Sequence, residues 1–403
     1  MKAEGRMTKS EWKTLPLGEL VESVDYGVTA SATEQPLGPK FLRITDIQDG
    51  AVNWDIVPWC ECDTRSASEA RLKTGDIVFA RTGATTGKSL LIRDCPTDTV
   101  FASYLIRVRV GASAEPRFVS HFFQTENYWA QIAKGARGVA QPGVNATTLK
   151  ALQIPLPPLP EQRRIAEVLD RAEALRAKRR AALAQLDSLT QALFLDLFGD
   201  TRKERTRWPT LPLEEIVRET KLGLVRGSQE FGPEFPIPYV RMNAITRIGE
   251  LELGNVQRTH ATEAEIEAYR LEPGDFLFNT RNSEELVGKT ALYRGGGLHL
   301  FNNNLMRVRF TAKADPVFVA AAFKTAFVQH ELNLRKSGTT NVFAIYYKDL
   351  RSLPLPVPPI PLQREFARRV TAVEALKASH RASLTELDAL FASLQHRAFR
   401  GEL

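Results

Sequence analysis

The amino-acid sequence contains one pattern twice, and this repetition limits the possible folds more than any single residue does. In the first half, a proline-rich stretch begins at Pro155, ends in Gln162-Arg163, and is followed by a long helical pattern. In the second half, the stretch from Pro356 to Gln363-Arg364 has the same order of residues before a second long helical pattern. We therefore expect two copies of a module followed by a helix.

The two halves resemble each other along their whole length. Matching segments are residues 15–21 with 211–217, 41–44 with 239–242, 72–79 with 271–278, 105–109 with 305–309, and 116–132 with 316–332. The third pair predicts a Gly-Asp turn before a short buried strand, and the last pair predicts one helix in each half. The loops at 29–39 and 60–69 have no counterpart. A common framework with different loops predicts two sites of one kind with different specificity.

The two helical patterns that follow the proline-rich stretches are long, and their apolar residues lie along one side of each predicted helix. From residue 161 to 198 there is neither proline nor glycine, and Gly199 then favours a stop. At about 1.5 Å per residue such a helix is about 57 Å long. Heptad spacing predicts that the two helices pair through one row of residues and a second row three positions later. The predicted pairing residues are Ile165, Ala172, Leu175, Leu186, Leu189, Leu193, Phe366, Val373, Leu376, Leu387, Leu390 and Leu394.

Two polar residues interrupt this seam at the same heptad position. Arg179 and His380 either form a polar layer that fixes the helix register, or extend their side chains out of the seam. An antiparallel pair of helices would place the two modules at opposite ends.

Composition narrows the class of protein. At 403 residues the chain is long enough for two or more domains, and its net charge of +7 permits a polyanionic partner. The three cysteines, Cys60, Cys62 and Cys95, favour free thiols in a reducing cytoplasm over a disulfide framework. No apolar stretch approaches the length of a membrane span, and the N-terminal residues do not form a secretory signal.

Motifs for catalysis are missing. The segment from Gly83 to Ser89 resembles a phosphate-binding loop, but Thr82 stands where the first glycine is required. We therefore expect a turn whose glycine admits a phosphate, with Lys88 as a charge, and a plain hairpin turn is the alternative. The six histidines stand singly, and neither a nucleophile elbow nor a methyltransferase motif occurs. We expect no catalytic residues and no metal site.

Basic and amide side chains recur at comparable places in the two modules and suggest contact with DNA. Arg and Lys hold phosphates or bind guanine edges, and Asn and Gln bind adenine. The candidate DNA contacts are Arg43, Arg81, Thr82, Lys88, Arg107, Gln141 and Asn145 in the first module and Arg241, Asn243, Arg281, Lys289, Arg307, Thr340 and Asn341 in the second.

The repeated junction resembles that of a known family. Residues 152–165, with the sequence Leu-Gln-Ile-Pro-Leu-Pro-Pro-Leu-Pro-Glu-Gln-Arg-Arg-Ile, are similar to the junction motif of specificity subunits of Type I restriction-modification enzymes. Residues 353–366 are a second copy, with Leu362 in place of Glu161. The Gly75-Asp76 strand with Gly87-Lys88, and its second copy, also match that family's recognition-domain pattern.

The resemblance implies an α+β architecture. It consists of two tandem α/β target-recognition domains, each followed by a long helix, and the helices pair as an antiparallel coiled coil with pseudo-twofold symmetry. The implied divisions are residues 1–155 for the first recognition domain, 156–200 for the central helical spacer, 201–356 for the second recognition domain, and 357–403 for the C-terminal helical spacer.

The resemblance also implies function and partners. Such a subunit is not itself an enzyme: each recognition domain binds one half of a bipartite, asymmetric sequence in double-stranded DNA, and the helices set the spacing. Two methyltransferase (modification) subunits dock on it and use S-adenosylmethionine, and restriction subunits that use ATP and Mg join some complexes. No cofactor is expected in this chain.

Two other functions are compatible with parts of the sequence. A stand-alone DNA-modifying enzyme would need methylation motifs that the chain lacks. A coiled-coil scaffold with two protein-binding modules would show the same helical seam, and a net charge of +7 does not separate it from a DNA-binding protein. Salt-dependent binding to random duplex DNA distinguishes the two.

Overall fold

The computed structural model describes residues 12–48, 50–135, 143–199, 208–339 and 341–403. The chain divides into two compact units. The first comprises residues 1–180 and 382–403, and the second comprises residues 181–381. Each unit therefore contains one module together with parts of both long helices. The four-segment division expected from the sequence stays a prediction.

The first unit begins with strands and ends in helices. Its strands are β1 Lys13–Pro16, β2 Val21–Tyr26, β3 Ala32–Thr33, β4 Lys40–Leu42, β5 Ile47–Gln48, β6 Ala51–Val52, β7 Trp59–Cys60, β8 Ile77–Ala80, β9 Ser89–Leu91, β10 Thr99–Phe101, β11 Leu105–Val110 and β12 Gln153–Leu156. Its helices are α1 Thr64–Glu69, α2 Pro116–Phe122, α3 Glu126–Gly135, α4 Ala146–Lys150 and the first part of α5 Leu159–Phe198.

The second unit repeats this order. Its strands are β13 Thr210–Pro212, β14 Val217–Leu222, β15 Ile237–Val240, β16 Gln257–Thr259, β17 Phe276–Asn279, β18 Arg281–Asn282, β19 Thr290–Leu292, β20 Leu300–Phe301, β21 Leu305–Phe310, β22 Ser337–Thr339, β23 Val342–Ala344 and β24 Pro354–Pro356. Its helices are α6 Glu263–Tyr269, α7 Pro316–Ala322, α8 Ala326–Asn333, α9 Tyr347–Leu350 and the first part of α10 Ile360–Ala398.

The sheets show the duplication directly. The main antiparallel sheet has the strand order β2-β11-β8-β9 in the first unit and β14-β21-β17-β19 in the second. The strands after the two Gly-Asp turns, β8 and β17, are buried along their whole length, as the sequence predicts. A second sheet pairs β10 with β4 in the first unit and β20 with β15 in the second, in both cases in parallel.

The helix predicted over 116–132 is two helices. α2 ends at Phe122, and α3 starts at Glu126 after a short break. Thr125 explains the break, because its hydroxyl donates to the carbonyl of Phe122 at 2.7 Å and accepts from the backbone N–H of Tyr128 at 3.2 Å. In the second unit Thr325 caps α8 in the same way. A threonine that satisfies both helix ends favours a corner over a continuous helix.

The glutamine of each junction motif is a structural anchor. Gln162 is buried, and its Oε1 accepts from the backbone N–H of Glu115 at 2.8 Å while its Nε2 donates to a carbonyl of the proline-rich stretch at 2.8 Å. Gln363 makes the same bonds, at 2.8 Å to Asp315 and at 2.7 Å to its own proline-rich stretch. The motif thereby fixes the start of each long helix against its module, since buried amides need partners for both of their polar atoms.

In the first unit the two long helices run antiparallel. Arg164 of α5 donates to the backbone carbonyl of Leu403 at 2.8 Å, and Arg176, further along α5, donates to Asp388, which comes earlier in the chain than Leu403. Near the junction, Phe399 packs on the ring of Phe118 at 5.0 Å, which joins the end of α10 to the core of the module.

The second unit shows the same antiparallel pairing. Lys377 donates to Asp187 at 2.6 Å, and the rings of Phe366 and Phe198 lie 5.4 Å apart. Phe198 also meets Phe318 of α7 at 5.0 Å, so the end of α5 joins this module's core. The antiparallel pairing is thus confirmed within each unit. The whole helices α5 and α10 also have the expected lengths.

The two rows of the predicted seam have different outcomes. Members of the first row are buried or half-buried, namely Ile165, Ala172, Leu186, Leu193, Phe366, Val373, Leu387 and Leu394. The second row is exposed: Leu175, Leu189, Leu376 and Leu390 have 53%, 39%, 47% and 49% of their surface accessible. The helices instead bury the row four positions after the first, with Leu169, Lys377 and Phe391 among its members. The prediction of the second row was therefore wrong. It was based on hydrophobicity, whereas the row that the helices bury includes the polar residues Arg176, Thr190 and Lys377.

None of the helices in the described part of the chain has the length and apolar character needed to span a bilayer.

Candidate nucleic-acid interface

Arg107 and Arg307 occupy equivalent positions in the central strands β11 and β21, and each is only 4% exposed. Arg107 Nη2 donates to Asp25 Oδ2 at 2.5 Å and Nη1 donates to a backbone carbonyl at 2.7 Å. Arg307 makes the same two kinds of bond, to Glu219 Oε1 at 2.6 Å and to a backbone carbonyl at 2.9 Å. Both side chains are therefore part of the framework, and we remove them from the candidate DNA contacts.

The carboxylates that face these arginines have lowered pKa values. The hydrogen bond from Arg307 lowers the pKa of Glu219. Burial alone would raise the pKa of Asp25, but the hydrogen bonds from Ser23 and Arg107 outweigh it, and the pKa is lowered. Each pair is thus a charged hydrogen bond, which strengthens the link between neighbouring strands.

The next arginine of each strand holds the Gly-Asp turn. Arg109 binds Asp76 through Nε–Oδ1 and Nη2–Oδ2, both at 2.8 Å, and Arg309 binds Asp275 at 2.6 and 3.1 Å. The glycine before each aspartate has a φ of +95°, which only glycine adopts without strain. The alternating arginines of the sequence are therefore explained by the fold rather than by a ligand.

The two lysines of the repeated Gly-Lys motif have different surroundings. Lys88 is exposed, and its ammonium has no partner among the described residues. Lys289 is half-buried and donates to the carbonyls of Ile245 and Met242, the latter at 3.4 Å, so it fastens the loop after β15. Burial, and then the charge of Arg247, lowers the pKa of Lys289. Lys88 is available to a phosphate, and Lys289 is already engaged.

Arg43 and Arg241 are half-buried and bonded to neighbours. Arg43 donates to Asp46 at 2.8 Å, and Arg241 donates to Gln257 at 2.8 Å. Asn243, next to Arg241 in the sequence, is exposed. Arg43, Arg241 and Asn243 therefore remain candidate DNA contacts, and Asn243 is the most exposed of the three.

A group of exposed side chains gathers around the hairpin that joins β8 to β9, and we call it the first tip cluster. It consists of Tyr26, Arg81, Thr82, Lys88, Trp129 and Asn145. The Arg81 guanidinium lies 5.0 Å from the ring of Tyr26, whose hydroxyl accepts from the backbone N–H of Ala146 at 3.1 Å. Asn145 caps α4 by accepting from Thr148 at 2.9 Å. The cluster combines a cation, an amide and aromatic faces, the groups that hold phosphates, bind base edges and stack.

The hairpin itself is not a nucleotide-binding loop. Gly87 has a φ of +84°, and a Cβ there would lie 3.1 Å from the ring of Trp129. Ser89 then begins strand β9, whereas a phosphate-binding loop must lead into a helix. The segment is therefore a turn, as expected from the sequence, and it joins β8 to β9 with an exposed tip.

The second unit has different side chains at the corresponding places, which we call the second tip cluster. It consists of Leu222, Arg281, Asn282, Asn341 and Tyr346. Arg281 and Asn282 form β18, which pairs with β23, and the hairpin of β22 and β23 carries exposed Asn341 at its turn. Leu222 and Tyr346 stand where the first unit has Tyr26 and Asn145. The two clusters therefore share a location on the framework but not a chemistry.

Two candidate DNA contacts, Gln141 and Thr340, lie outside the described residues. The aromatic members of the first cluster, Tyr26 and Trp129, were missed because single exposed aromatics have no periodicity.

Comparison with known proteins agrees with this architecture. Residues 9–185 match the family described as "Type I restriction modification DNA specificity domain". The chain is 25% identical over 384 residues to the Type I restriction enzyme EcoKI specificity subunit of Escherichia coli K12, covering 90% of this chain and 82% of that protein. It is 24% identical over 424 residues to the StySPI specificity subunit of Salmonella potsdam, covering 97% and 89%.

Solved structures show the same fold. The chain is similar, with a TM-score of 0.60 and 14% identity over 98% of both chains, to the Type-I restriction-modification system S subunit from M. genitalium. A chain from a structural study of the assembly and conformational transition of a type I R-M system has a TM-score of 0.55 and 21% identity, covering 99% of this chain and 100% of that one. Residues 9–185 therefore match the Type I DNA specificity domain family, and nearly the whole chain is similar to Type I specificity subunits in sequence and in fold.

Proposed function

We propose that this chain binds a bipartite, asymmetric DNA sequence, with each unit contacting one half through its tip cluster. The observation that carries the proposal is that the buried framework is the same in the two units, whereas the exposed tip clusters differ. Arg107 and Arg307 make the same bonds in the two units, whereas Tyr26 and Leu222 differ at equivalent exposed places. Duplicated frameworks with divergent tips favour two half-sites of different sequence over a palindrome.

The long helices act as the spacer between the half-sites in this proposal. In the first unit Arg176 lies between Glu173 and Asp388, and in the second unit Lys377 lies between Glu374 and Asp187. Because each cation joins a residue of its own helix to one of the other helix, a shift of one helix would break the bonds. The repeated charge pattern supports a fixed helix register.

The exposed leucines supply a docking face for the modification subunits. In an antiparallel pair, equivalent flanking heptad positions lie on the same side. Leu175 and Leu390 therefore line one side of the helix pair in the first unit, and Leu189 and Leu376 do so in the second. These four exposed leucines are not needed for packing between the long helices. They therefore favour a protein partner on each unit. We assign S-adenosylmethionine to docked methyltransferase subunits, and ATP and Mg to restriction subunits.

Base-modification sequencing of DNA from the source cells, with and without this gene, tests the proposal. We expect a two-part asymmetric motif, methylated at adenine in each half, that disappears on deletion. A second strain with Lys88→Ala, Arg81→Ala and Arg281→Ala should lose methylation of the same motif. An unchanged methylome in cells that express the methyltransferase partner would contradict DNA recognition and favour a protein-binding scaffold.

A further inference from the structure

A cleft of about 940 Å³ opens in the second unit and has no assigned role. It lies beside α7, α8 and the long-helix segments of this unit, and residues 246–253 form another wall. The members of the second tip cluster are not among its lining residues. The cleft is therefore distinct from the surface to which we assign DNA binding.

The first unit provides an internal comparison, because the equivalent place there is filled by an ionic cluster. Asp170 of α5 accepts from Arg93 Nη2 at 2.7 Å and from Arg117 Nη1 at 3.4 Å, and His121 Nε2 lies 3.0 Å from it. Three side chains from the module thereby converge on one carboxylate of the helix.

The second unit has lost this cluster by substitution. Val317 stands in the place of Arg117, Ala321 in that of His121, and Thr371 in that of Asp170. Val317 and Ala321 line the cleft. The hydroxyl of Thr371 donates to its own helix, to the carbonyl of Ala367 at 2.8 Å. Small side chains therefore leave open the space that the first unit fills.

Two cationic side chains remain in this space of the second unit, but the carboxylate that Asp170 supplies in the first unit is replaced by Thr371. Arg294 corresponds to Arg93, and Lys324 takes the place of Gln124. Neither has an ion pair within 4.0 Å among the described residues, whereas the neighbouring Lys377 and Arg381 are paired with Asp187 and Glu250. Seven Lys and Arg side chains and four carboxylates line the cleft altogether, so it favours an anionic ligand.

The remaining lining narrows the class of ligand. Ile248 and Leu195 are 60% and 45% exposed at the cleft, and Val317 adds apolar surface. The only aromatic ring among the described lining residues, that of Phe194, is 3% exposed, so a nucleotide base would find nothing to stack on. Exposed aliphatic side chains next to unpaired cations match a peptide that carries both carboxylates and aliphatic groups.

We propose that the cleft of the second unit binds an acidic, amphipathic segment of a protein partner, with Arg294 and Lys324 pairing with its carboxylates and Ile248 and Leu195 covering its apolar side. Because the first unit fills the equivalent place with its own side chains, one such segment binds per chain. The proposal does not depend on DNA recognition.

The test is selection of a displayed random-peptide library on the full chain, with counter-selection on a filled variant. The filled variant copies the first unit through Val317→Arg, Ala321→His, Lys324→Gln and Thr371→Asp. Selected peptides are then titrated by fluorescence anisotropy against wild-type protein, against Arg294→Ala/Lys324→Ala, and against Arg281→Ala, which removes a cation outside the cleft as a control. Thermal unfolding of every variant shows that it is folded.

We expect enriched peptides to combine Asp or Glu with Leu, Ile or Val, and to bind the Arg294→Ala/Lys324→Ala variant at least about tenfold more weakly. Arg281→Ala should bind them as the wild type does. Enrichment of basic peptides, equal binding by the filled variant, or no enrichment from folded wild-type protein would each overturn the proposal. Full competition by inorganic phosphate at concentrations that leave ionic strength unchanged would indicate a small-anion site instead and would also overturn it.

Discussion

Arg176 of α5 donates from Nε to Asp388 Oδ1 of α10 at 2.6 Å, and this bond connects the two long helices within the first unit. The guanidinium also packs 4.4 Å from the ring of Phe391, so its position is set by a carboxylate and an aromatic face together. In the second unit Lys377 and Asp187 repeat the connection at 2.6 Å. Contacts of this kind fix which heptad of one helix faces which heptad of the other.

The first prediction follows from this register. Deleting residues 172–178 together with residues 386–392 removes one facing heptad from each helix and keeps the pairing in phase. We expect the folded protein to recognise the same two half-sites at a changed spacing, because no residue of either tip cluster is deleted. Methylated-motif sequencing measures both properties. Deletion of residues 172–178 alone is the control, and it should destabilise the protein because the facing heptad loses its partner. Altered half-site bases at constant spacing would contradict the spacer role.

The second prediction compares the two Gly-Lys lysines. Lys88→Ala should weaken binding to duplex DNA and reduce the slope of log K against log salt by about 1, because one phosphate contact is lost. Lys289→Ala should instead lower the unfolding temperature, because it removes the bonds to the loop at Met242 and Ile245. Binding isotherms at several salt concentrations and thermal unfolding separate the two effects. A larger change in salt slope for Lys289→Ala than for Lys88→Ala would refute this assignment.

The third prediction concerns the exposed leucines. Leu175→Glu with Leu390→Glu should prevent co-purification of the methyltransferase subunit while changing the free energy of unfolding by no more than about 0.5 kcal/mol, because both side chains are exposed. Ala174→Glu with Ala392→Glu, which adds the same two charges at exposed neighbouring positions, is the matched control. Normal complex formation by the double variant would show that the methyltransferase docks elsewhere.

The fourth prediction concerns pH. Burial would raise the pKa of Asp170, but hydrogen bonds from His121 and Arg93 outweigh it and hold the pKa well below its ordinary value of 3.8. A carboxylate with a lowered pKa stabilises the fold above that ordinary value, and the contribution is lost as the pH falls below it.

Asp170→Asn should therefore destabilise the first unit by about 2 kcal/mol at neutral pH, because it removes the carboxylate that Arg93 and Arg117 bind and weakens the bond to the buried His121. Thermal unfolding between neutral pH and about pH 3 should show the difference from wild type shrinking as the pH falls. Thr371→Ala, at the equivalent place in the second unit, serves as the control and should change little. A difference that stays constant over this range would contradict a charged Asp170.

Some features of the candidate site were predictable and others were not. Arg81 and Thr82 follow a buried strand and Lys88 comes directly after the glycine turn, and this local pattern predicts an exposed hairpin tip, where all three are found. Arg107 was a candidate DNA contact, which requires an exposed side chain, but it is buried. The partner that makes its burial possible, Asp25, lies far away in the sequence, so local pattern could not reveal the pair.

The sequence by itself determined the duplication, the length of the long helices and one of their two buried rows, and the buried strands after the Gly-Asp turns, because repeats and periodicity are local properties of the chain. Tertiary structure decided which side of each helix is buried, since Leu175 and Leu169 flank the same row and only packing chooses between them. It also decided that Lys88 is free while Lys289 is bonded, and that a cleft opens beside Ala321 where His121 closes the equivalent space. These outcomes depend on contacts between residues distant in the chain, which periodicity does not record.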